Sequence, residues 1–232
     1  MRVAAIVPAA GEGKRMGEGR RKPFLLLGGR PILAVTLANL MRCPQLSEFL
    51  VCLREEDMEV GERVILPHLP LGREIRWVEG GARRQDSVFK ALSRVSEETE
   101  MVLIHDGVRP FISSRLLSLA IEETKRWGAT TFGLPVTDTI KLVRQDGLAV
   151  RTLDRGSLWV IQTPQTFRRD IILEAHRRAR EEGFEGPDDA SLVERLGREV
   201  KVLVGHPENI KITNYQDLSL AEKIAAGRGA NE

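Results

Sequence analysis

The sequence predicts an α/β fold: a mostly parallel, doubly wound sheet with a protruding β-hairpin arm, in one domain spanning residues 1–232. Three observations lead there. Short runs that are apolar throughout recur along the chain, as expected of strands buried on both faces. Segments of helical period lie between them. One stretch late in the chain breaks that alternation and carries a hairpin signal instead.

Residues 3–7, "VAAIV", read as the first buried strand, and residues 49–53, 75–78, 101–104 and 200–204 read the same way. Leu33, Leu37 and Leu40 share one helical face, as do Val88, Ala91, Leu92 and Val95. Further faces appear at Leu116, Leu117, Ala120 and Ile121, and at Leu218, Ala221 and Ala225. From 135 to 155, "PVTDTIKLVRQDGLAVRTLDR", no helical period exists. Two β-prone runs, 139–143 and 148–153, flank "QDG", and Asp-Gly between such runs marks a hairpin. This predicts an arm at about 135–157.

Composition narrows the function. A net charge of +2 on 232 residues is too weak a field for a protein that binds nucleic acid by its overall charge. Cys43 and Cys52 form no CxxC, and His68, His105, His176 and His206 lie far apart, so neither a zinc-site spacing nor a disulfide framework is present. The thiols sit among apolar residues, as small buried side chains do. The first apolar run is too short for a secretory signal and no stretch reaches membrane-spanning length, so a cytoplasmic protein with no membrane partner is expected.

Chemistry concentrates after the first strand, where "PAAGEGKRMGEGRRK" combines glycines with cations. Such a loop lies at the carboxyl edge of the sheet, where α/β proteins bind ligands. A Walker A loop requires Ser or Thr after its Lys, but Lys14 is followed by Arg15. A dinucleotide fingerprint requires its third glycine one place before Gly17. A nucleoside triphosphate loop fits better: Gly11 and Gly13 expose backbone N–H groups, and Lys14, Arg15 and Lys22 supply charge. Each cation–phosphate contact at ~4 Å gives on the order of 4 kcal/mol at an effective dielectric of about 20, before desolvation.

Three further segments add to the site. "EGGARRQDSVFKAL" places glycines after the third strand and then Ser87 at a helix start, where Ser87 and Asp86 suit N-capping as well as ligand contact. "LIHDGVRP" ends a buried strand in Asp106, beside Gly107 and Arg109; next to a triphosphate, that carboxylate is a natural Mg²⁺ ligand. "NIKIT" puts Lys211 in a strand-like run, where an inward Lys requires an anion. In "GPDDASLVERLG", Asp188 and Asp189 read as helix caps.

Taken in order, "PAAGEGKRMG", "KPFLLLGGRPIL", "GGARRQDSV", "HDGVRPF", "PVTDTIK", "QTPQTF" and "NIKIT" resemble the 2-C-methyl-D-erythritol 4-phosphate cytidylyltransferase family of the non-mevalonate isoprenoid pathway. The likeness runs from Pro8 to the final helix; the ordered set is specific, although the first loop alone is common to many nucleotidyltransferases. It implies a Rossmann-like nucleotidyltransferase fold and a homodimer whose arms exchange contacts. The implied reaction joins CTP and a phosphorylated polyol, methylerythritol phosphate, with Mg²⁺, releasing pyrophosphate.

By the same resemblance, Arg15 and Lys22 stabilise phosphate charge in the transition state, with Arg155 and Lys211 as further catalytic cations. Ala9, Ala10, Gly81 and Ser87 resemble the cytosine-recognising positions, with Gly11, Gly13 and Lys14 in the nucleotide loop and Asp106 as the metal and substrate carboxylate. Arg109, Thr139, Arg155, Thr163 and Lys211 resemble the groups that hold the phosphorylated substrate, Thr139 and Arg155 coming from the partner's arm. One departure is visible: Gly107 and Val108 stand where two alanines are expected.

The residues and the resemblance agree on mechanism. A phosphate nucleophile is already charged and requires no general base, and neither a GxSxG elbow nor a Cys–His spacing is present for a covalent route. The protein's work is then to position two polyanions and neutralise their charge. The nearest rival is a ribitol 5-phosphate cytidylyltransferase. A molybdopterin-maturation nucleotidyltransferase shares the first loop but not "HDGVRP" or "NIKIT". A nicotinamide-dependent dehydrogenase leaves Lys14, Arg15 and Lys22 without a purpose, and a nucleotide sensor leaves Arg155 without one.

Overall fold

A computed structural model describes residues 1–11 and 21–229. In chain order the elements are β1 (Arg2–Pro8), β2 (Leu26–Leu27), β3 (Arg30–Pro31), α1 (Ile32–Met41), β4 (Leu46–Leu53), α2 (Met58–Ile65), β5 (Arg76–Glu79), α3 (Arg84–Leu92), β6 (Thr99–Ile104) and α4 (Ser114–Trp127). They continue with β7 (Ala129–Pro135), β8 (Lys141–Val143), β9 (Ala149–Thr152), β10 (Trp159–Arg168), α5 (Arg169–Glu181), α6 (Asp189–Arg195), β11 (Lys201–Val204) and α7 (Tyr215–Gly229).

Among the described residues, seven strands form one sheet in the order β11-β7-β10-β6-β1-β4-β5. β1 pairs in parallel with β4 and β6, β4 with β5, and β11 with β7, whereas β10 runs antiparallel to both neighbours. The apolar run of β1 explains its central place. Val3, Ala5 and Val7 point to one face, packing with Leu33, Leu37 and Leu40 of α1 and with Leu117 and Ile121 of α4. Ala4 and Ile6 point to the other, where α3, α5 and α6 contribute Val88, Ile172 and Val193. Each large aliphatic side chain buried in this way contributes about 1.5–3 kcal/mol, so each helix is held by its apolar face rather than by intrinsic propensity.

Two strands escape the hydrophobic pattern. β7 carries buried Thr130 and Thr131, and β10 carries buried Gln162, Thr163, Gln165 and Thr166. Their polar groups are satisfied across elements: the Thr124 and Thr130 hydroxyls share a hydrogen bond of 2.8 Å, and Gln165 Nε2 donates to Thr131 Oγ1 at 3.1 Å. The register of β10 shifts between Gln162 and Gln165, where a cis Thr163–Pro164 bond interrupts the ladder.

The predicted arm is present as the antiparallel pair β8–β9, turning through Gly147 at φ +84°. It is inserted between β7 and β10, whose ends meet where Pro135 pairs with Trp159. Two local expectations are corrected. "NIKIT" is irregular rather than a strand: the Ile212 N–H donates to the Val108 carbonyl and the Asn209 side chain to the Thr163 carbonyl, so isolated bonds anchor it in place of a strand ladder. Of the two aspartates before α6, Asp188 caps by accepting from Ser191 N at 2.9 Å, whereas Asp189 is buried in an ion-paired network.

The chain from β1 passes through α1 to β4 on one side, while β6 lies on the other side of β1. A doubly wound sheet opens a crevice where its winding reverses, outside the strands' carboxyl ends. Here that place is between the ends of β1 and β6.

Candidate active site

At that place lies a cleft of about 440 Å³, within the roughly 300–1,000 Å³ common for small-ligand sites. Ala9, Ala10 and Gly11 follow β1 along one wall, Gly81 and Ser87 form another, and Lys22, Asp106 and Lys211 complete it. Thus eight of the residues expected at the site come together from five separate parts of the chain. Gly13, Lys14 and Arg15 lie outside the described residues.

The glycine wall is a close approach of two loops. A Cβ on Gly81 would stand 2.4 Å from Asp86 Cβ, and one on Gly80 would stand 2.4 Å from Ala10 Cβ. The Gly81 N–H donates to Ser87 Oγ at 2.9 Å, and the Ser87 hydroxyl donates to the Arg83 carbonyl at 3.1 Å. Ser87 is therefore not the N-cap of α3; that position belongs to Arg83, and Ser87 ties the glycine loop to the first turn instead. Gly107 has its own reason to lack a side chain. A Cβ there would be 3.0 Å from both Ala9 Cβ and Leu33 Cδ1.

Asp106 is the electrostatic centre. It is buried, with Arg84 Nε 3.2 Å from Oδ1, and Lys211 Nζ 2.8 Å and Arg109 Nε 3.5 Å from Oδ2. Burial alone raises a carboxyl pKa, but the charges of Arg84, Lys211 and Arg109 outweigh it and hold Asp106 well below the usual carboxylate range. Its backbone N–H donates to Thr163 Oγ1 at 3.0 Å, and the Thr163 hydroxyl is 3.0 Å from His105 Nδ1. The other ring nitrogen lies 2.9 Å from the Arg109 carbonyl, an obligate acceptor, so Nε2 carries the ring proton and Nδ1 accepts from Thr163. Burial pushes the His105 pKa down to about 4, so the ring is neutral near pH 7.

The remaining predicted residues divide into two groups. Arg109 and Thr163 sit behind Asp106 rather than on the cleft wall, Arg109 donating from Nη1 to the Asn209 carbonyl at 2.8 Å. Thr139 and Arg155 are exposed near the arm, outside the cleft, and Arg155 Nη1 donates to the Thr137 carbonyl at 2.8 Å. Lys22 is aimed by the segment before α7, since its Nζ donates to the Thr213 carbonyl at 2.8 Å. That segment is locked by Asn214 and Asp217, whose side chains accept each other's backbone N–H at 2.9 and 3.0 Å.

Sequence reasoning missed Arg84, Asp189 and Thr213. Arg84 stands in the quoted "GGARRQDSV", and Asp189 in "GPDDAS", but nothing local distinguishes either from a surface charge. Among the described residues, no cluster of three His, Cys, Asp or Glu side chains could hold a metal by itself. Asp106 is the one carboxylate on the described cleft wall.

A family model described as IspD, 2-C-methyl-D-erythritol 4-phosphate cytidylyltransferase, matches residues 3–226. The chain belongs to this family. Among its relatives, the 2-C-methyl-D-erythritol 4-phosphate cytidylyltransferase of Syntrophus aciditrophicus is 45% identical over 221 residues, covering 95% of this chain and 94% of that protein. The Bacillus mycoides protein of the same name is 43% identical over 219 residues, covering 94% and 96%. Among solved structures, 2-C-methyl-D-erythritol 4-phosphate cytidylyltransferase from Thermus thermophilus superposes with a TM-score of 0.80 at 37% identity, covering 97% of this chain and all of that one. The 4-diphosphocytidyl-2C-methyl-D-erythritol synthase from Anaerococcus prevotii gives a TM-score of 0.86 at 31% identity, covering 97% and 96%. The cytidylyltransferase fold therefore extends over nearly the whole chain. No described helix is long and apolar enough to cross a membrane.

Proposed function

We propose that the cleft between β1 and β6 is where this cytidylyltransferase joins CTP to 2-C-methyl-D-erythritol 4-phosphate, releasing pyrophosphate. The observation that carries this is the meeting of Lys22, Lys211 and Arg84 with a single ionised carboxylate, Asp106, on the wall of one cleft. Such a site attracts phosphates, which suits direct attack of one phosphate on another.

In this reading Ala9, Ala10, Gly81 and Ser87 take the cytosine end. Gly11 and Lys22, with Gly13, Lys14 and Arg15, take the triphosphate. Lys22 stabilises charge as it builds on the departing pyrophosphate. Lys211 orients the incoming phosphate, Asp106 accepts from the polyol's hydroxyls, Arg109 steadies the Asp106 carboxylate from behind, and Thr163 holds the Asp106 backbone in place. Asp106 fits Mg²⁺ as its sole protein carboxylate, because Mg²⁺ takes one or two carboxylates plus phosphate oxygens. The ion would neutralise phosphate charge there, and Asp106 would hold it.

We read the chain as one domain whose arm pairs with that of a second copy. Leu142, Val143, Leu148 and Val150 are each about half exposed on the arm, and an isolated two-stranded ribbon is marginal in water. Symmetric pairing supplies the missing burial and carries Thr139 and Arg155 to the neighbouring cleft.

The test is pyrophosphate release from CTP, with methylerythritol phosphate and ribitol 5-phosphate compared, each with and without excess EDTA. Turnover is expected only with the first alcohol and only with metal. Turnover of ribitol 5-phosphate alone would move the assignment to its cytidylyltransferase, and equal rates in EDTA would remove the metal role of Asp106. Mixing inactive Arg155→Ala with inactive Lys22→Ala subunits should restore activity. No recovery despite confirmed exchange would place Arg155 in its own subunit's site.

A further inference from the structure

From the cleft wall, Arg84 reaches back and is shared between two buried carboxylates. Its Nε is 3.2 Å from Asp106 Oδ1, and its Nη1 donates to Asp189 Oδ2 at 2.7 Å. Nη2, which shares an edge with Nε, is buried and has no hydrogen-bond partner among the described residues. Guanidinium and carboxylate groups prefer two parallel hydrogen bonds across one edge. The edge formed by Nε and Nη2 faces Asp106 with only half of that pattern made.

Asp189 is what holds it back. Its contact is the shorter of the two, and its side chain is only 1% exposed. Its other oxygen is 3.0 Å from Nε2 of the fully buried His176, whose ring stacks against Phe89 at a centroid distance of 6.3 Å. The backbone N–H groups of Asp189 and Ala190 both donate to Gln165 Oε1 at 3.0 Å. With His176 on its carboxylate and Gln165 on its backbone, Asp189 is fixed in place and holds Arg84 away from a full pairing with Asp106.

We propose that Asp189 is a positioning residue for cytidylyl transfer: by tethering one end of Arg84 it keeps Asp106 from being captured bidentately, leaving Oδ2 to accept from Lys211 and from a substrate hydroxyl. This rests on the assignment of the cleft as the active site. Asp189 does not line the cleft, so it touches neither substrate. Loss of its charge frees Arg84 to close on Asp106 through Nε and Nη2, and the site's carboxylate is then spent on the protein's own cation.

The experiment is a double-mutant cycle on the full chain with Asp189→Asn and Asp106→Asn, reading kcat, KM for each substrate, CTP binding by equilibrium dialysis and thermal melting. Asp189→Asn is expected to lower kcat about 10–100-fold, since displacements near 1 Å cost on that order, while CTP affinity stays within about threefold. In the Asp106→Asn background the same substitution should cost less than about threefold. A crystal structure of Asp189→Asn should show both Nε and Nη2 of Arg84 on Asp106. Equal losses in both backgrounds, or an unmoved Arg84, would overturn the proposal, because a merely structural role lowers both enzymes alike. If Asp189→Asn does not fold, His176→Asn, which is too short to hold Asp189 Oδ1 and so loosens the tether while leaving Arg84 intact, carries the same cycle with a smaller loss in the same direction. Wild-type activity in Asp106→Asn itself would instead refute the active-site assignment, and the position of Arg84 in the Asp189→Asn structure would then decide the tether alone.

Discussion

Thr163→Val separates two roles for a residue that the motif "QTPQTF" points to substrate and the structure places behind Asp106. The substitution keeps the shape of the side chain and removes one hydroxyl. That hydroxyl accepts from the Asp106 N–H and donates to His105 Nδ1, both at 3.0 Å, and Thr163 is only 6% exposed. Valine leaves a buried donor and a buried acceptor without partners, at about 1–3 kcal/mol each. The sum, roughly 2–6 kcal/mol, corresponds to a fall in Tm on the order of 10 °C for a chain of this size. Calorimetry or a CD melt measures it, and steady-state kinetics alongside should show a kcat loss with KM for methylerythritol phosphate changed little. A Tm within a degree of wild type together with a large rise in that KM would refute the reasoning, because the hydroxyl would then face the substrate.

Other outcomes follow from named contacts. His105 binds its proton more weakly when folded (about 4) than when unfolded (the ordinary 6.5), so between those values the unfolded chain holds the extra proton and stability falls as the solution is acidified. At pH 4.5 the loss from this group is about 2–3 kcal/mol, and urea titrations of wild type and His105→Gln should differ in pH slope by one proton. Asp106 acts in the other window: its folded pKa is depressed, so its stabilisation persists above the ordinary carboxylate value and disappears only as pH falls through the folded one. Gly81→Ala forces a methyl group against Asp86 Cβ and the α3 backbone, which should raise KM for CTP about tenfold and cost about 1–3 kcal/mol; unchanged CTP affinity would mean that this wall is not the base site. Lys22→Ala should lower kcat by about 10²–10³ with little change in melting, and near-normal turnover would remove it from the mechanism.

Apolar pattern made the central strands legible before any coordinates, because β1, β4 and β6 are buried on both faces and write that fact as unbroken hydrophobic runs. The hairpin was legible through Asp146-Gly147. β7 and β10 were not, because their buried threonines and glutamines are stabilised by partners on other elements, and such pairings leave no period in the local sequence. The same physics divides the site. Residues on the tight loops announced themselves through glycine and charge, so Gly81, Lys22 and Asp106 could be named. Arg84 and Asp189 are 105 positions apart, and their bond exists only once α3 and α6 are folded. Asp189 consequently read as a cap, which its neighbour Asp188 is.

The direction of β10 has a further consequence for construction. Ten residues of strand cover roughly 33 Å at ~3.3 Å per residue. Had β10 run with its neighbours, the chain leaving β7 would have had to travel that distance back before re-entering the sheet, as every parallel connection must. Because it runs the other way, departure and return occur on the same rim, and the whole excursion of residues 136–158 is free to extend outward beside the cleft. The length and sequence of that excursion can drift without disturbing the sheet, while its last residues lead within one strand to Thr163 and the floor beneath Asp106. A lineage can thus reshape the arm while inheriting the sheet and the cleft at its rim unchanged.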